Sequence, residues 1–274
     1  DELVFDGPLA PDGSVQFFAR HRRTVCLVKR GEAGVLGRLE EPSEEELEDS
    51  FQKYAGPRAS SRKGTDSWRM SGTPEENGFL HLTCFQLPVD QVLQKAHENN
   101  VSLTGFLCAV MMQAIQNLQK EQIQNQRHRK PIKVLIPVNL RKLFPSKTLR
   151  NFALYTIPEI DPRLGEYSFE EICRAVKHRM GLEIHPKHMS TMIAANVGSE
   201  RLLAVKIMPL FVKNIVMKAV FDAVGERKSC LTISNLGAVT LPEPMTAYVE
   251  RIDFILGIQA TAPYNCGVLS YGDT

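Results

Sequence analysis

Hydrophobic and polar stretches alternate along the chain and predict a succession of strands and helices. The apolar run at residues 79–87 (FLHLTCFQL) is rich in β-forming residues and predicts a buried strand. One helix is predicted from Pro88, and a longer one after Ser102, where large apolar side chains recur at helical spacing. This recurrence predicts a core-facing stripe made of Leu103, Phe106, Leu107, Val110, Ala114 and Leu118.

Strands and capped helices are also predicted in the second half of the chain. Residues 132–138 and 152–160 each predict a strand. The S-x-x-E pattern that starts at Ser168 is a capping box and predicts a helix to about Met180. Three further β-like runs close the chain at residues 229–234, 248–258 and 265–271. The strands that end at Val138, Ser234 and Tyr271 are predicted to share one sheet.

This mixture indicates an α/β or mixed α+β fold in which a large mixed sheet is flanked by helices. Neither a regular strand–helix alternation nor a G-x-G-x-x-G or P-loop motif is present, which excludes dinucleotide-binding and P-loop folds. Residues 1–67 are weakly periodic and predict a unit separate from residues 68–274. Within the acidic run of this first unit, Ser43 is predicted to cap a short helix, with Glu46 at its third position.

The longest apolar neighbourhood, residues 202–224, allows two interpretations. Lys206, Lys213 and Lys218 argue against a transmembrane helix, because each central charge costs about 2.5–3.5 kcal/mol on insertion. The favoured interpretation is a helical pair broken at Pro209 and packed into the core or along an apolar channel. The alternative is an amphipathic helix that lies on a membrane surface.

The amino-acid composition argues against several classes of protein. The 274 residues are 43% hydrophobic and 23% charged, as in ordinary globular proteins, and the formal net charge of +2 argues against a nucleic-acid partner. The six cysteines form no C-x-x-C pair and no zinc-type spacing, which predicts buried free thiols in a reducing, cytoplasmic environment and no metal site. No secretory signal is recognised.

Four stretches in a fixed order carry a family resemblance: VLIPVNLRKLFPSKTLRNFALYTIPEID, SFEEICRAVKHRM, LTISNLGAVTLP and NCGVLSY. From about Ser43 to the end, the chain resembles the C-terminal half of alcohol acetyltransferase-like proteins. These belong to the CoA-dependent acyltransferase superfamily, with chloramphenicol acetyltransferase and condensation domains. The resemblance implies a chloramphenicol acetyltransferase-like fold with two lobes that meet along a tunnel. It also implies acyl-CoA as co-substrate, an alcohol or amine as acceptor, and no tightly bound cofactor.

In that superfamily a histidine of an H-H-x-x-x-D-G motif is the general base that takes the acceptor proton. The Asp-Gly pair that aligns with the motif here is Asp12-Gly13, and Gly7 and Pro8 stand where the histidines belong. The resemblance therefore implies a structural role for Asp12 and no histidine base at this position. Since the chain starts at Asp1, we expect a complete C-terminal lobe behind a missing or truncated N-terminal lobe.

Other residues offer little support for catalysis. His21, His81, His97, His178, His185 and His188 are interpreted as surface or structural histidines, and no G-x-S-x-G nucleophile motif is present. The candidate substrate-binding residues stand at predicted strand ends: Asn139, Arg141, Asn151, Ser234 and Asn235. They would donate hydrogen bonds to a developing oxyanion or to pantetheine amides, or else serve as turn formers and strand caps. Arg141 would hold the motif Asp, a CoA phosphate or a structural ion-pair partner.

Two functions follow from these observations. The first is acyl transfer from acyl-CoA to an alcohol or amine. The second is a truncated or degenerate relative without turnover that acts as a binding or interaction module. An apolar face uncovered by a missing lobe would favour self-association.

Overall fold

The framework of the protein is a mixed β-sheet. The computed structural model describes residues 43–55, 66–70, 72, 79–200, 209–220, 229–257 and 263–274. Within them, five strands form the sheet: β1 (Ile132–Asn139), β2 (Ala153–Thr156), β3 (Glu159–Ile160), β4 (Leu231–Ala238) and β5 (Asn265–Ser270). The predicted mixed α/β class is confirmed.

The strand order is β2-β1-β4-β5, with β3 also paired to β1. β1 is parallel to β4, and β4 is parallel to β5, whereas β2 and β3 run antiparallel to β1. Ile136 lies opposite Thr156 and Ile132 lies opposite Ile160, so β2 and β3 keep one register along β1. They are a single strand interrupted before Pro158, which has no N–H for the ladder but accepts a hydrogen bond from Val134 N at 3.2 Å. The strands that end near Val138, Ser234 and Tyr271 therefore share one sheet, as predicted.

Eight α-helices occur in the described residues, and α4 and α5 pack against the sheet. Their bounds are α1 (Glu44–Leu47), α2 (Ser50–Lys53), α3 (Val89–Glu98), α4 (Leu103–Gln122), α5 (Phe169–Glu183), α6 (Pro186–Glu200), α7 (Leu210–Val220) and α8 (Glu243–Thr246). The capping box of α5 is confirmed, because Ser168 N donates to the Glu171 carboxylate at 2.8 Å and Glu171 N donates to Ser168 Oγ at 3.3 Å. At α1, Ser43 N donates to the Glu46 carboxylate at 2.9 Å, which confirms the predicted cap.

The stripe predicted to bury α4 in the core is wrong. Val110 and Leu118 are exposed, and the buried face of α4 consists instead of Gly105, Cys108, Ala109, Met112, Ile115, Gln116 and Gln119. Small residues on this face let α4 approach α5, β1 and β4 closely. Close packing against these elements therefore decided which side of α4 is buried, and the number of large apolar residues on each side did not.

Two buried glutamines of α4 bind the main chain of two different loops. Gln116 donates to Tyr167 O at 2.9 Å and accepts from Tyr167 N at 3.0 Å. Gln119 donates to Lys130 O at 3.2 Å and accepts from Lys130 N at 3.1 Å. Each amide thus satisfies its own polar groups and those of a neighbouring loop, which makes its burial acceptable.

Two clusters of buried side chains hold these elements together. The main cluster joins the sheet to α4 and α5 and includes Cys108, Met112, Ile115, Ile132, Val134, Ile172, Val176, Leu231 and Ile233. The second cluster joins the carboxyl end of β1 to β2 and α6 and consists of Val138, Leu140, Phe152, Leu154, Met189, Ile193 and Val197.

Residues 43–55 pack against the second cluster. The Phe51 ring meets Phe152 edge to face at 5.1 Å between centroids. The Tyr54 hydroxyl donates to Pro145 O, and Ser190 Oγ donates to Tyr54 O at 3.1 Å. The division between residues 1–67 and 68–274 stays a prediction.

Helix α6 was not predicted. Its buried side chains, Met189, Ile193 and Val197, recur at every fourth position and face the second cluster. This spacing is visible in the sequence and is the signal that identifies the helix.

Two predicted strands are wrong. Residues 79–87 form no strand and are exposed, with Phe79 at 74% and Phe85 at 80% of full exposure. Residues 248–257 are also irregular, although Tyr271 Oη donates to Val249 O at 2.9 Å beside β5. A Cβ on Gly267 would lie 2.3 Å from Phe254 O, so only glycine fits where this segment crosses β5. β-forming composition shows that a segment suits a half-buried sheet surface, but not that a pairing partner exists.

Helix α7 begins after Pro209, where a break was predicted, but it is not a core helix. Leu210, Phe211 and Ile215 are 73%, 70% and 68% exposed, so the favoured core-packed interpretation is wrong for this helix. Residues 201–208 lie outside the described residues.

Among the residues that the structure describes, no single helix is long and apolar enough to cross a membrane. Helices α3 and α4 reach that length and composition only as a pair bent by 78°.

Candidate functional site

The first group of candidate residues lies in the turn after β1. Asn139 ends the strand, and its side chain accepts a hydrogen bond from Arg141 N at 3.1 Å. This contact starts the short 3-10 helix Leu140–Lys142, in which Leu140 is fully buried. An asparagine that binds the main chain two residues on is a common turn device, and the sequence places it directly after an apolar strand.

Arg141 closes the loop that follows this turn. Its Nε and Nη2 atoms donate to Thr148 O at 3.1 and 2.7 Å, and Nη2 also donates to Arg150 O at 2.6 Å. Main-chain carbonyls are therefore its observed partners. Asn151 follows directly and is exposed, and the pairing of Asn139 with Ala153 brings it to the same turn. The structure thus brings Asn139, Arg141 and Asn151 together.

The second group lies in a bulge of β4. The register between β4 and β5 shifts between Asn235 and Ala238, and Gly237 has a φ of +81°. Asn235 Oδ1 accepts from Gly237 N at 2.7 Å, while its Nδ2 donates to Thr104 Oγ1 at 3.0 Å. The S-N-L-G motif is therefore a bulge whose asparagine also contacts the first turn of α4. Ser234, half-buried, precedes it opposite Gly267.

The two groups stand at one edge of the sheet. Parallel neighbours end at the same edge, and Val134 of β1 lies opposite Leu231 of β4. Asn139 and Asn235 stand five and four positions beyond this pair, at the carboxyl ends of their strands. The hydrogen bonds described for each group, however, stay within its own neighbourhood.

A cavity of about 460 Å³ lies on the other side of the first turn of α4. Its lining comes from the α3–α4 connection and from α5: His97, Asn100, Val101, Ser102, Gly105, Lys177 and Met180. The hydroxyl of Ser102 caps α4 by accepting from Gly105 N at 3.2 Å. Thr104, Asn100, Ser102 and Lys177 were not predicted as site residues, because their proximity depends on how α5 packs against α4.

Three cysteines, Cys108, Cys173 and Cys230, are buried and offer no activated nucleophile. Burial raises the pKa of the Cys108 thiol to about 12, and the nearby Cys173 adds to this rise. Burial also raises the pKa of Cys230, although a hydrogen bond with Ser67 at 3.0 Å acts in the opposite direction. Since the thiolate is the nucleophile, these cysteines are structural. The predicted burial is confirmed for Cys108, Cys173 and Cys230, whereas Cys266 is half-buried and Cys84 is exposed. Cys26 lies outside the described residues.

The described histidines are spread over separate elements. His97 lines the cavity, His81, His178 and His188 are exposed, and His185 Nδ1 accepts from Lys187 N at 3.3 Å. No group of three or more metal-ligating side chains occurs in the described part of the chain. Asp12 and His21 lie outside the described residues.

Residues 50–157 match the alcohol acetyltransferase family model. The resemblance predicted from the sequence is confirmed for this segment. It runs from α2 to the end of β2 and contains Asn139, Arg141 and Asn151, whereas Ser234 and Asn235 lie beyond it.

No curated protein matches the sequence. Among solved structures, vinorine synthase is 9% identical with a TM-score of 0.34, over 55% of this chain and 31% of that one. A second structure concerns condensation domain-mediated chain release from the enacyloxin polyketide synthase. It is 15% identical with a TM-score of 0.37, over 68% of this chain and 32% of that one. The chain spans about a third of the length of these two structures.

Proposed function

We propose that the protein takes part in transfer of an acetyl or longer acyl group from acyl-CoA to an alcohol or amine. The match of residues 50–157 to the alcohol acetyltransferase family carries this proposal. The reaction breaks the thioester C–S bond, forms an ester or amide bond and releases CoA as a thiol, so no redox partner is required.

The carboxyl edge of the sheet is the proposed substrate surface. Asn139, Arg141 and Asn235 hold the turn and the bulge through their hydrogen bonds and serve to position their neighbours. Within the described residues, the Ser234 hydroxyl and the Asn151 amide have no hydrogen-bond partner. We assign these two groups to contacts with the thioester oxygen or the pantetheine amides, where donors stabilise developing charge.

The acceptor hydroxyl needs a base, because an alcohol attacks a thioester slowly until its proton is accepted. His97 is the described histidine that lines the cavity beside the first turn of α4. The position aligned with the family base is occupied by Pro8, which accepts no proton. Measured turnover therefore decides between acyl transfer and a non-catalytic relative that binds a ligand or partner.

The test is ester formation from acetyl-CoA and longer acyl-CoAs with a panel of alcohols and amines, followed by mass spectrometry of the product. Product detection is preferable to a thiol reagent, because the exposed Cys84 would react as well. We expect product with the unchanged chain and a loss of about tenfold or more in Ser234→Ala and Asn151→Ala. Thr191→Val, which removes a hydroxyl bonded to Lys187 O on α6, is the matched control.

Absence of product with every donor and acceptor would disprove the proposed acyl transfer. Acyl-CoA binding without product would then identify the non-catalytic alternative. The cytoplasmic location expected from the cysteines is part of this proposal.

A further inference from the structure

Helix α7 presents several apolar side chains to solvent in its first two turns. Leu210, Phe211, Ile215 and Val216 are 73%, 70%, 68% and 43% exposed. Isolated exposed apolar residues are common, but this 11-residue helix has four, and Phe211, Ile215 and Val216 lie on the same side of it. Such a patch indicates an interaction surface.

The helix is amphipathic. Phe211 and Ile215 are four positions apart, as are Val212 and Val216, so these two pairs share one side of α7. By the same periodicity Lys213 and Asn214 fall on the other side together with Leu210, while Lys218, seven positions after Phe211, borders the apolar side. Helices that lie in a membrane interface combine an aromatic and aliphatic side with lysines at its border or beyond it, as α7 does.

Charge distinguishes a lipid surface from a second copy of the chain. Residues 202–221 contain three lysines and no aspartate or glutamate. A symmetric dimer through the apolar side would bring the Lys218 side chains of both copies into the same interface, where α7 offers no carboxylate to pair with them. An anionic bilayer instead offers acyl chains to the apolar face and phosphates or carboxylates to the lysines.

We propose that α7 is a membrane-surface helix that binds anionic bilayers. It lies parallel to the surface with Phe211, Ile215 and Val216 in the boundary between headgroups and acyl chains, while Lys213 and Lys218 reach the lipid phosphates. At about 1.5 Å per residue the helix is far too short to span, and a depth of about 5–10 Å suffices to bury its apolar face. This surface would hold the chain where apolar alcohols and acyl chains concentrate.

Flotation of the 274-residue chain with vesicles tests the proposal. We expect co-flotation with vesicles of mixed phosphatidylcholine and phosphatidylserine, and much less with phosphatidylcholine alone. The double variant Phe211→Ser/Ile215→Ser should lower the partition coefficient by at least about tenfold, since it removes two inserted side chains. Lys213→Gln/Lys218→Gln should lower it by about twentyfold to thirtyfold at low salt.

Matched controls separate α7 from general stickiness and net charge. Leu164→Ser/Leu182→Ser changes two residues that are 80% and 74% exposed elsewhere and should leave partition unchanged. Lys142→Gln/Lys187→Gln removes the same charge as the α7 pair and should have an effect of less than about twofold. Far-ultraviolet circular dichroism of each variant should equal that of the unchanged chain, because all these side chains lie outside the buried clusters.

Four results would overturn the proposal. The first is no co-flotation of the unchanged chain with phosphatidylserine vesicles, and the second is a partition coefficient of the α7 variants equal to that of the unchanged chain. The third is a decrease in the control variants as large as that in the α7 variants. The fourth is a decrease caused by Phe79→Ser/Phe85→Ser and not by the α7 variants. Sedimentation velocity without lipid adds a direct test of self-association. A dimer that the α7 variants dissociate would assign this face to a second copy of the chain.

Discussion

The turn after β1 and the bulge of β4 use the same local device for different purposes. In each, an asparagine side chain accepts the main-chain N–H two residues later, at 3.1 Å from Arg141 and 2.7 Å from Gly237. The first turn then binds its own loop through Arg141. The second reaches a distant helix, because Asn235 also donates to Thr104.

The burial around each asparagine explains this difference. Leu140 and Phe152 of the β1 turn belong to the second buried cluster, which anchors the turn. The hydrogen bonds of Arg141 then hold the loop that follows. In β4 burial declines after Ile233, and the bulge depends on backbone conformation and one side-chain contact. The β1 turn is therefore expected to depend mainly on the buried side chains beneath it, and the β4 bulge on its local contacts.

The largest effect is expected at the support of the β1 turn. Phe152→Ala removes a ring that is 1% exposed and packs against Phe51 and Tyr54, so it should lower the free energy of unfolding by about 3–5 kcal/mol. Denaturant titration measures this. Phe85→Ala, at 80% exposure, is the control and should stay within about 0.5 kcal/mol. Equal decreases in the two variants would contradict the role of Phe152 in the second buried cluster.

Arg141→Ala should have the next largest effect, a decrease of about 2 kcal/mol in the free energy of unfolding. Removal of the guanidinium leaves two main-chain carbonyls without their charged donor. Arg141→Lys should recover little, because an ammonium lacks the planar fork that reaches both carbonyls. Arg150→Ala removes an equal charge but leaves its own carbonyl in place and serves as control. If Arg150→Ala destabilises as much in the same titration, charge rather than the carbonyl contacts explains the result.

Gly237→Ala tests the backbone of the β4 bulge. A Cβ at a φ of +81° is strained, and we expect a loss of about 1–2 kcal/mol in thermal unfolding. Gly181→Ala in α5 meets nothing within 4 Å and should instead stabilise by about 0.5–1 kcal/mol. Similar responses at the two glycines would show that the bulge is not required.

The smallest effect concerns the contact between the bulge and α4. A double-mutant cycle of Asn235→Ala and Thr104→Val should give a coupling energy of about 0.5–1.5 kcal/mol in unfolding measurements. The parallel cycle of Asn235→Ala with Thr191→Val should give none, because Thr191 binds Lys187 O on α6. Zero coupling in the first cycle would show that the bulge, like the β1 turn, gains no stability from contact with a distant helix.

Local devices made much of the fold predictable. The capping box of Ser168 and Glu171 and the cap at Ser43 involve residues three positions apart. Strands β1, β4 and β5 were identified from apolar runs that proved to be paired. The turn formers among the candidate residues were also recognisable, since Asn139 and Asn235 each bind the main chain two residues on.

Prediction failed where the outcome depended on a distant partner. Residues 79–87 have the composition of a strand but form none, and α7 has an apolar face that is exposed rather than buried. The cavity residue Lys177 comes to Ser102 only through the packing of α5 on α4. No periodicity within a single segment reveals such neighbours.

The sequence by itself determined where most helices and strands begin and end, because caps, turns and proline breaks act over a few residues. The tertiary structure alone decided which face of α4 is buried, how Gln116 and Gln119 are satisfied, and that Asn235 meets Thr104 across 131 positions. Burial and long-range hydrogen bonds depend on the simultaneous placement of several elements, so they follow from packing and not from local order.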